Sequence, residues 1–282
     1  MAEISAKDVK ALRDSTGAGM MDCKKALTDA GGDVEQAVDL LRERGLSKAG
    51  KRAGRETSEG AIGVSTEGGF GVVIELGCET DFVAKNDQFQ TLVQDVADAI
   101  REGGGAADAE AALKAKVGTS TVDEHIKTAV GRLGENIQLK RVAAITVDGL
   151  VGSYVHGGGK LGVIVGLASG NPDDVKETAK DIAMHVAAAD PTPLAVDRDG
   201  LDPGVVEKEQ TILRNQALES GKPEKIVENI VKGRLNKFFA EHTLVEQPFV
   251  KDTDKKVADV LSEAGGASVS GFVRFRLGEI AE

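Results

Sequence analysis

The stretch Glu75-Leu-Gly-Cys-Glu-Thr-Asp-Phe-Val-Ala-Lys-Asn86 joins two segments with different hydrophobic patterns. Before it, Gly71-Val-Val-Ile-Glu-Leu76 is dense in β-branched and apolar residues, which predicts a buried strand. After it, apolar residues recur at helical spacing between Phe89 and Ile100. The stretch is therefore predicted to be a strand-to-helix loop, a common place for functional residues because the sheet fixes a short segment.

Phe82 in this loop has two open interpretations. In the first, its ring covers the hydrophobic core while Thr80 or Asp81 caps the following helix. In the second, the ring faces a partner and acts beside the carboxylate of Asp81. The chain has only eight Phe and one Tyr, so a ring next to a carboxylate in a loop is worth testing against the rest of the sequence.

Two parts of the chain resemble each other and favour the second interpretation. Hairpins are predicted over residues 61–76 and 150–167, and a helix follows each of them. The first copy has five more residues than the second between strand and helix, and the junction of the second reads Ser169-Gly-Asn-Pro172. A core-covering residue would serve both copies, so the extra loop of the first copy favours a partner-facing role.

Composition limits the class of protein. A chain of 282 residues is long enough for two or three domains. Its two cysteines, Cys23 and Cys78, favour a reducing compartment over a disulfide framework. No apolar run approaches the roughly 20 residues of a membrane helix, and Met1-Ala-Glu-Ile-Ser5 lacks the apolar stretch of a signal peptide. We expect a cytoplasmic, soluble protein without membrane contact.

The charge of the chain argues against direct contact with nucleic acid. It carries 46 acidic and 35 basic residues, a net charge of −11, and no Trp. Nucleic-acid-binding surfaces usually combine a basic groove with stacking rings. A protein partner is therefore expected.

The N-terminal 45 residues predict three short helices, the last of which ends at Gly45. A basic segment, Lys48–Ser58, follows and is predicted to be a linker. Met20 and Met21 begin the second helix and leave two interpretations open. Either one packs in the core and the other fills space, or both form a flexible apolar contact for a partner.

The remaining elements give an α+β fold. A turn is predicted at Gly134-Glu-Asn136, and the last strand should expose Arg274 and Arg276 on one face. Two long helices joined at Ser220-Gly-Lys-Pro223 should form an antiparallel hairpin. The other predicted helices are 106–117, 122–133, 205–220, 224–241 and 257–261, and a further strand is predicted at 137–147.

No catalytic constellation, metal site or cofactor site is predicted. The glycine-rich segment Gly152–Gly162 lacks the spacing of a phosphate loop, and a hairpin turn accounts for its glycines. No two histidines stand four residues apart, as in a helical zinc site. His156 at a hairpin tip is the histidine best placed for a partner, whereas His185 is expected in the core. A Cys78 nucleophile is a weak alternative because burial would make it inert.

Several sequence blocks together resemble the bacterial translation elongation factor Ts family along essentially the whole chain. The order and spacing of these blocks make the resemblance specific. The blocks are Leu12-Arg13, Thr16-Gly-Ala-Gly-Met-Met21, Cys23-Lys-Lys-Ala-Leu27, Thr80-Asp-Phe-Val-Ala-Lys85, Gly134-Glu-Asn136, Ser153-Tyr154, His156-Gly157, His185-Val-Ala-Ala188, Gly233-Arg-Leu235 and Gln247-Pro-Phe-Val250.

This resemblance implies a guanine-nucleotide exchange factor for the GTPase elongation factor Tu, acting without covalent chemistry. It implies that Thr80, Asp81, Phe82 and Val83 dislodge Mg²⁺ from the GTPase, so that GDP leaves and GTP can bind. The residues implied in docking are Leu12, Arg13, Met20, Met21, Leu133, Gly134 and His156. The main alternative is a binding or scaffold module that exchanges nothing.

The resemblance also implies an architecture. Residues 1–55 would form a ubiquitin-associated-like three-helix docking domain with a basic linker. Residues 56–140 and 141–282 would form two related hairpin-plus-helix subdomains of the core, with a protruding helical hairpin at about 203–243. One departure is Gly77, where family members commonly have Asn, and we expect glycine to loosen the loop slightly.

Overall fold

The computed structural model describes residues 4–168, 172–219 and 223–279. It contains helices and antiparallel sheets, which confirms the predicted mixture of the two. The helices are α1 (Ala6–Thr16), α2 (Met20–Asp29), α3 (Val34–Arg52), α4 (Asp81–Ala84), α5 (Asp87–Glu102), α6 (Ala109–Ala112), α7 (Val122–Leu133), α8 (Lys176–Ala188), α9 (Pro203–Glu219), α10 (Glu224–His242) and α11 (Val257–Glu263). The strands are β1 (Glu59–Glu67), β2 (Phe70–Cys78), β3 (Lys116–Val117), β4 (Ser120–Thr121), β5 (Ile137–Thr146), β6 (Gly149–His156), β7 (Leu161–Ala168), β8 (Pro248–Phe249), β9 (Asp252–Lys256) and β10 (Ser268–Arg276).

Helices α1 to α3 form a small N-terminal bundle. Ser5 caps α1, because its hydroxyl oxygen accepts a hydrogen bond from Asp8 N while the Asp8 carboxylate accepts one from Ser5 N. Gly17 ends α1 in the left-handed conformation, with φ 67°. The bundle packs around Val9, Leu12, Cys23, Ala26, Leu27 and Ala37. A core this small is expected to contribute little stability by itself.

Helix α3 continues past Gly45 to Arg52, so the predicted stop and the predicted start of a linker at Lys48 are wrong. The prediction rested on the low helix propensity of glycine, which tertiary packing overrides here. Gly45 faces Gly131 of α7, and a Cβ on Gly131 would lie 2.9 Å from Gly45 Cα. Arg52 Nη1 also donates to Val130 O at 3.4 Å. Gly45 therefore brings two helices together and does not end one.

Two three-stranded antiparallel sheets form the body of the protein. Their strand orders are β1-β2-β5 and β6-β7-β10, and the β1-β2 and β6-β7 pairs confirm both predicted hairpins. Helix α5 covers the first sheet with Phe89 and Ile100, and α8 covers the second with Ile182 and Val186. Each sheet thus combines a hairpin, a covering helix and a later strand that pairs with the second strand of the hairpin.

The two sheets pack against each other through their remaining faces. The buried side chains between them are Ile62, Val73, Val151, Ile164 and Phe275. Alternate residues of β2 and β7 therefore pack in opposite directions, toward a helix and toward the other sheet, which explains the near-continuous apolar runs of these strands.

The glycine-rich segment is a hairpin turn that touches the first sheet. Gly157, Gly158 and Gly159 all have positive φ, at 61°, 64° and 92°. Gly159 O accepts a hydrogen bond from Ile62 N at 2.7 Å. A Cβ on Gly159 would lie 2.7 Å from Ala61 Cβ. Turn geometry accounts for these glycines, as predicted, and close approach to the first sheet adds a constraint at Gly159 that the sequence did not reveal.

The helix predicted at 106–117 is much shorter. Only Ala109–Ala112 is helical, because Lys116 and Val117 pair with β4 around a turn at Gly118, whose φ is 59°. The apolar residues of this segment pack against the first core from an irregular backbone. Helical spacing alone did not reveal this small hairpin.

The final strand pairs with β7, but its predicted solvent-facing side is only partly exposed. Arg276 is exposed, whereas the Arg274 side chain is 10% exposed and its Nη1 lies 3.1 Å from Glu279 Oε2. The expected alternation holds for Phe275, which is buried between the sheets. The prediction for Arg274 is wrong because the chain after β10 returns over it.

Helices α9 and α10 pack against each other, as predicted. Residues 220–222 of the predicted turn between them lie outside the described residues, as do residues 169–171 of the junction after β7. The seam between the two helices contains Leu213, Ala217, Val227 and Val231.

The close contact between α3 and α7 predicts that Gly131→Ala destabilises the protein. Because the added methyl meets backbone at Gly45, the helices must separate, and we expect a loss of about 1–3 kcal/mol in the free energy of unfolding. Urea denaturation followed by far-UV circular dichroism measures it. The matched control is Gly233→Ala in α10, where nothing lies within 4 Å, and we expect a gain of about 0.5–1 kcal/mol. Equal stability of Gly131→Ala and the wild type would contradict the contact.

Candidate functional site

The connection between β2 and α5 contains a short helix that directs one aromatic ring into solvent. β2 ends at Cys78, and α4 covers Asp81–Ala84, so the predicted strand-to-helix loop is confirmed. Thr80 caps α4 by accepting a hydrogen bond from Val83 N at 3.4 Å. The Phe82 side chain is 83% exposed, which excludes the interpretation that it covers the core. We call residues 79–85 the α4 loop.

The opposite side of the α4 loop is anchored in the protein. Ala84 is buried, and Val83 packs against the core beneath the first sheet. Gln90 Nε2 donates to Ala84 O at 2.6 Å. Buried neighbours in the same helical turn therefore set the direction of Phe82.

The turn after α7 holds the start of the α4 loop. The Glu135 carboxylate accepts hydrogen bonds from Glu79 N at 3.1 Å, Thr80 N at 3.0 Å and Thr80 Oγ1 at 2.6 Å. In return, Glu79 Oε1 accepts a hydrogen bond from Asn136 N at 2.6 Å. Each segment thus supplies a carboxylate to the backbone of the other, and hydrogen bonds to ionised acceptors are among the strong ones.

The chain that leaves α3 reaches the same place. Arg55 Nη1 lies 3.4 Å from Glu79 Oε2, and Arg55 O accepts a hydrogen bond from Asn136 Nδ2 at 2.7 Å. Gln138 Nε2 donates to Ala53 O at 2.9 Å. The segment predicted to be a linker is therefore fixed beside the α4 loop.

Asp81 forms an ion pair within its own turn. Lys85 Nζ lies 2.8 Å from Asp81 Oδ2. The hydrogen bond from Lys85 lowers the pKa of Asp81, and the same bond raises the pKa of Lys85. The outer face of the α4 loop therefore presents an apolar ring beside an ionised carboxylate.

The predicted docking residues of the N-terminal bundle differ in exposure. Met20 is 55% exposed and Met21 73%, so neither packs in the core and that interpretation is excluded. Arg13 is also exposed. Leu12 is 1% exposed and lies in the centre of the bundle, which leaves its side chain no surface for a partner.

The structure brings three other predicted residues toward the α4 loop. Leu133 and Gly134 end α7 directly before Glu135, and Gly134 caps the helix with φ 82°. His156 is exposed and lines a cavity with Glu59, which pairs with Cys78 at the end of the first hairpin. These residues share one end of the first sheet with the loop, whereas the exposed methionines belong to the bundle.

Comparisons with known proteins identify the family of this chain. A family model described as Elongation factor TS matches residues 79–279. A protein from Prosthecochloris aestuarii named Elongation factor Ts is 50% identical over 290 aligned residues, covering 99% of this chain and 100% of that protein. Proteins of the same name from Nitrobacter hamburgensis and Maricaulis maris are 49% and 47% identical, covering 99% and 100% of this chain and 94% of each relative. The chain belongs to the elongation factor Ts family.

Membership of the elongation factor Ts family confirms the resemblance seen in the sequence. It also confirms the implied class of function, since the chain is a guanine-nucleotide exchange factor for elongation factor Tu. The alternative of a binding module without exchange is not favoured. The residues matched by the family model begin inside the α4 loop and extend beyond β10.

Within the described ranges, no group of three or more His, Cys, Asp or Glu side chains is placed to hold a metal ion. Among the helices described, none combines the length and apolarity needed to cross a membrane.

His185 is a hydrogen-bonded core residue, as predicted. It is 1% exposed, its Nε2 lies 3.0 Å from Gln247 Oε1, and its Nδ1 accepts a hydrogen bond from Val250 N at 3.2 Å. Burial lowers the pKa of His185. This family block therefore serves packing in the second core.

The sequence did not reveal the residues that hold the α4 loop. Glu135 lies in a block that predicted only a turn, and nothing in that block identifies its partners Glu79 and Thr80. A carboxylate directly after the glycine cap of α7 is the one available signal.

The expected loosening by Gly77 stays a prediction. It lies inside β2 opposite Gly60, and a Cβ there would lie 2.9 Å from Lys140 Cε and 3.0 Å from Thr57 Oγ1. A side chain at this position would therefore require the Lys140 and Thr57 side chains to shift.

The burial of Cys78 predicts an unreactive thiol. Its Sγ donates to Thr80 O at 3.2 Å, and burial raises the pKa of Cys78 to about 12. At pH 8 only ~10⁻⁴ of this thiol is the reactive thiolate. We expect negligible labelling of Cys78 by iodoacetamide in the native protein and full labelling after unfolding, measured by mass spectrometry of peptides. Cys78→Ser keeps a donor to Thr80 O and should retain GDP exchange. Loss of exchange in this variant would instead support a cysteine-dependent activity.

Proposed function

We propose that this elongation factor Ts chain releases GDP from elongation factor Tu by pressing the exposed face of the α4 loop against the Mg²⁺ site of the GTPase. Asp81 and Phe82 would contact the partner, while Thr80 and Val83 hold them in place. The observation that carries the proposal is the exposure of Phe82, at 83%, on a backbone fixed from behind. Exchange by displacement needs no catalytic acid or base on this chain.

The Phe82 ring is not buried when the chain folds, so its burial against a partner can contribute to binding free energy. Burial of a Phe side chain contributes about 1.5–3 kcal/mol. Among the described large apolar side chains, Phe82 and Met21 are the two most exposed. Single exposed apolar residues are common on protein surfaces. A ring that is both exposed and rigidly held is suited to insertion into a partner.

Mg²⁺ coordination makes the partner sensitive to a small displacement. The ion requires near-ideal octahedral geometry, with ligands at about 2.0–2.1 Å. A ring inserted into the wall of such a site shifts ligands by more than this geometry tolerates. Because the ion bridges protein and phosphates, its loss weakens nucleotide binding.

Thermodynamic linkage requires the effect to be reciprocal. If this chain weakens nucleotide binding, nucleotide weakens binding of the chain by the same coupling free energy, typically ~1–3 kcal/mol. Rebinding of GTP therefore favours dissociation of the complex. Exchange needs only this difference in affinity between the nucleotide-bound and nucleotide-free partner.

The other predicted residues would dock the chain. Arg13, Met20 and Met21 present exposed side chains on the N-terminal bundle, and methionine adapts readily to a partner surface. Leu12 would support them from inside the bundle. The remaining predicted docking residues, which lie in the predicted core subdomains and not in the N-terminal bundle, are Leu133, Gly134 and His156.

We also propose the domain organisation implied by the resemblance. Residues 1–55 form a ubiquitin-associated-like docking domain, and residues 56–140 and 141–282 form two related core subdomains. The boundary at 140 falls inside β5, which pairs along its whole length with β2, so the first subdomain extends to the end of that strand. The helical pair at about 203–243 protrudes from the second. The same orders of hairpin and third strand in the two sheets support the relation between the subdomains. The proposed location is the cytoplasm, with elongation factor Tu as partner and no direct contact with nucleic acid or membrane.

The proposal predicts that Phe82→Ala lowers the maximal rate of GDP release while the fold is kept. The ring makes few contacts within the chain, so the unfolding midpoint should stay close to that of the wild type. We expect a loss of about tenfold or more, equivalent to ~1.4 kcal/mol in the activation free energy of GDP release. Stopped-flow release of a fluorescent GDP analogue from elongation factor Tu at fixed Mg²⁺ measures this rate. Leu194→Ala, which removes another exposed apolar side chain, is the matched control and should exchange normally.

The same assay separates exchange from simple binding. A folded Phe82→Ala chain with wild-type exchange would rule out insertion of the ring. A stable complex that leaves GDP release unchanged for every variant and for the wild type would instead indicate a binding module.

The exposure of Met21 predicts a different kinetic effect. Met21→Ala removes docking contact but leaves the α4 loop intact, so the concentration for half-maximal exchange should rise several-fold while the maximal rate is kept. A titration of the chain in the stopped-flow assay yields both parameters. Leu12→Ala is unsuitable as a control because Leu12 is buried and its loss would destabilise the bundle. Lys24→Ala, an exposed position on the same helix as Met21, serves as the control. A reduced maximal rate with unchanged half-saturation would assign Met21 to displacement and not to docking.

A further inference from the structure

Glu135 lies behind the α4 loop and has no role in the docking and displacement described above. Its carboxylate is part-buried and faces the protein, with hydrogen bonds to two consecutive residues of the loop. A carboxylate is therefore held in a fixed position directly behind the α4 loop.

The geometry of the carboxylate restricts both position and rotation of the loop. Oε2 accepts hydrogen bonds from Glu79 N at 3.1 Å and Thr80 N at 3.0 Å, while Oε1 accepts one from Thr80 Oγ1 at 2.6 Å. Three donors on two neighbouring residues fix the plane of this backbone, whereas a single bond would leave it free to rotate. A carboxylate has enough lone pairs to accept all three at once.

Thr80 transmits this restraint to Phe82. Its hydroxyl oxygen accepts a hydrogen bond from Val83 N, so the same atom that donates to Glu135 also caps α4. α4 has only four residues, and a single helical turn is not stable by itself. The orientation of its first turn therefore depends on the cap, and the cap depends on Glu135.

Few other interactions can replace this restraint. The Phe82 ring is in solvent, and Asp81 pairs with Lys85 inside the same turn. Ala84 anchors the C-terminal end of α4 in the core. The N-terminal end has the Glu135 bonds and the return bond from Asn136 N to Glu79 Oε1. Two weaker contacts add to them, the 3.2 Å bond from Cys78 Sγ to Thr80 O and the 3.4 Å pair of the exposed Arg55 with Glu79.

We propose that Glu135 is a positioning residue for nucleotide exchange, which orients the α4 loop so that Phe82 reaches the partner as a rigid group. This inference rests on the proposed displacement function. Glu135 acts through Thr80 and touches neither nucleotide nor Mg²⁺. Misplacement of a positioned group by about 1 Å can reduce a rate by about 100-fold, so loss of the restraint should be measurable.

The test compares Glu135→Ala with Glu135→Gln in stopped-flow titrations of GDP release from elongation factor Tu. Glu135→Ala should lower the maximal rate by about tenfold or more, with less than about threefold change in the concentration for half-maximal exchange. Glu135→Gln should recover most of the rate, because its amide oxygen can accept from both backbone amides and its NH₂ can donate to Thr80 Oγ1. Asp98→Ala is the matched control, since the Asp98 carboxylate on α5 also accepts a hydrogen bond within the first core subdomain, from Ser65 Oγ of β1 at 2.5 Å.

Two further measurements distinguish positioning from a general loss of stability. With Mg²⁺ removed by excess EDTA, Glu135→Ala and the wild type should promote GDP release equally, because the step that needs a rigid loop is bypassed. The double variant Phe82→Ala, Glu135→Ala should be no slower than Phe82→Ala alone, because both substitutions affect one unit. A multiplicative loss in the double variant, or an equal defect in EDTA, would overturn the positioning role.

The outcomes also separate this inference from the function on which it rests. Impaired Phe82→Ala with a normal maximal rate for Glu135→Ala overturns the role of Glu135 only. Wild-type exchange by both variants overturns displacement by the ring as well. If Glu135→Ala does not fold, Thr80→Val breaks the 2.6 Å bond from the other side, and a normal maximal rate in that variant overturns the inference.

Discussion

A side chain can displace part of a partner only if the backbone beneath it resists the reaction force. Phe82 is in solvent and α4 has four residues, so neither supplies that resistance. It comes from buried Ala84 at one end of the turn and from the Glu135 carboxylate at the other. The first sheet and α7 place these two groups, which makes the exposed ring the outermost part of a buried framework.

Helix α7 connects the N-terminal bundle, with its proposed docking residues, to this framework. The contacts of the N-terminal bundle with α7 include the 3.1 Å pair of Arg42 with Glu124, the backbone contact of Gly45 with Gly131 and the bond from Arg52 Nη1 to Val130 O. The end of the same helix leads into Glu135. The separation between the exposed methionines and the ring is therefore set largely by one helix. Two small surfaces on a rigid connection can engage a partner together, which relates docking to the point of displacement.

The regular parts of the fold were predictable because their periodicity reflects burial directly. The range of α7, both hairpins and the β5 strand follow from alternation, helical spacing and turn glycines. The extension of α3 through Gly45 was not, because a glycine that permits close contact looks the same in sequence as one that ends a helix. The exposure of Phe82 was suggested only by comparison between the two hairpin units. The bonds of Glu135 join residues about 55 positions apart, and no local pattern carries that information.

The stiffness of the α4 loop affects the coupling free energy between nucleotide and exchange factor, that is, how far each weakens binding of the other. A flexible loop would lose conformational entropy on insertion, about 0.5–1.5 kcal/mol for each ordered side chain, and would bend before it moved an ion. That loss reduces binding to the nucleotide-free partner, which is the state that exchange must favour. A loop ordered before contact avoids the loss, so more of the free energy from burying Phe82 is available to oppose Mg²⁺ and nucleotide. Because coupling is reciprocal, the same stiffness makes the complex weaker when nucleotide returns. If the ring acts as proposed, the carboxylate bonds behind it favour both halves of the cycle, release of GDP and release of the factor.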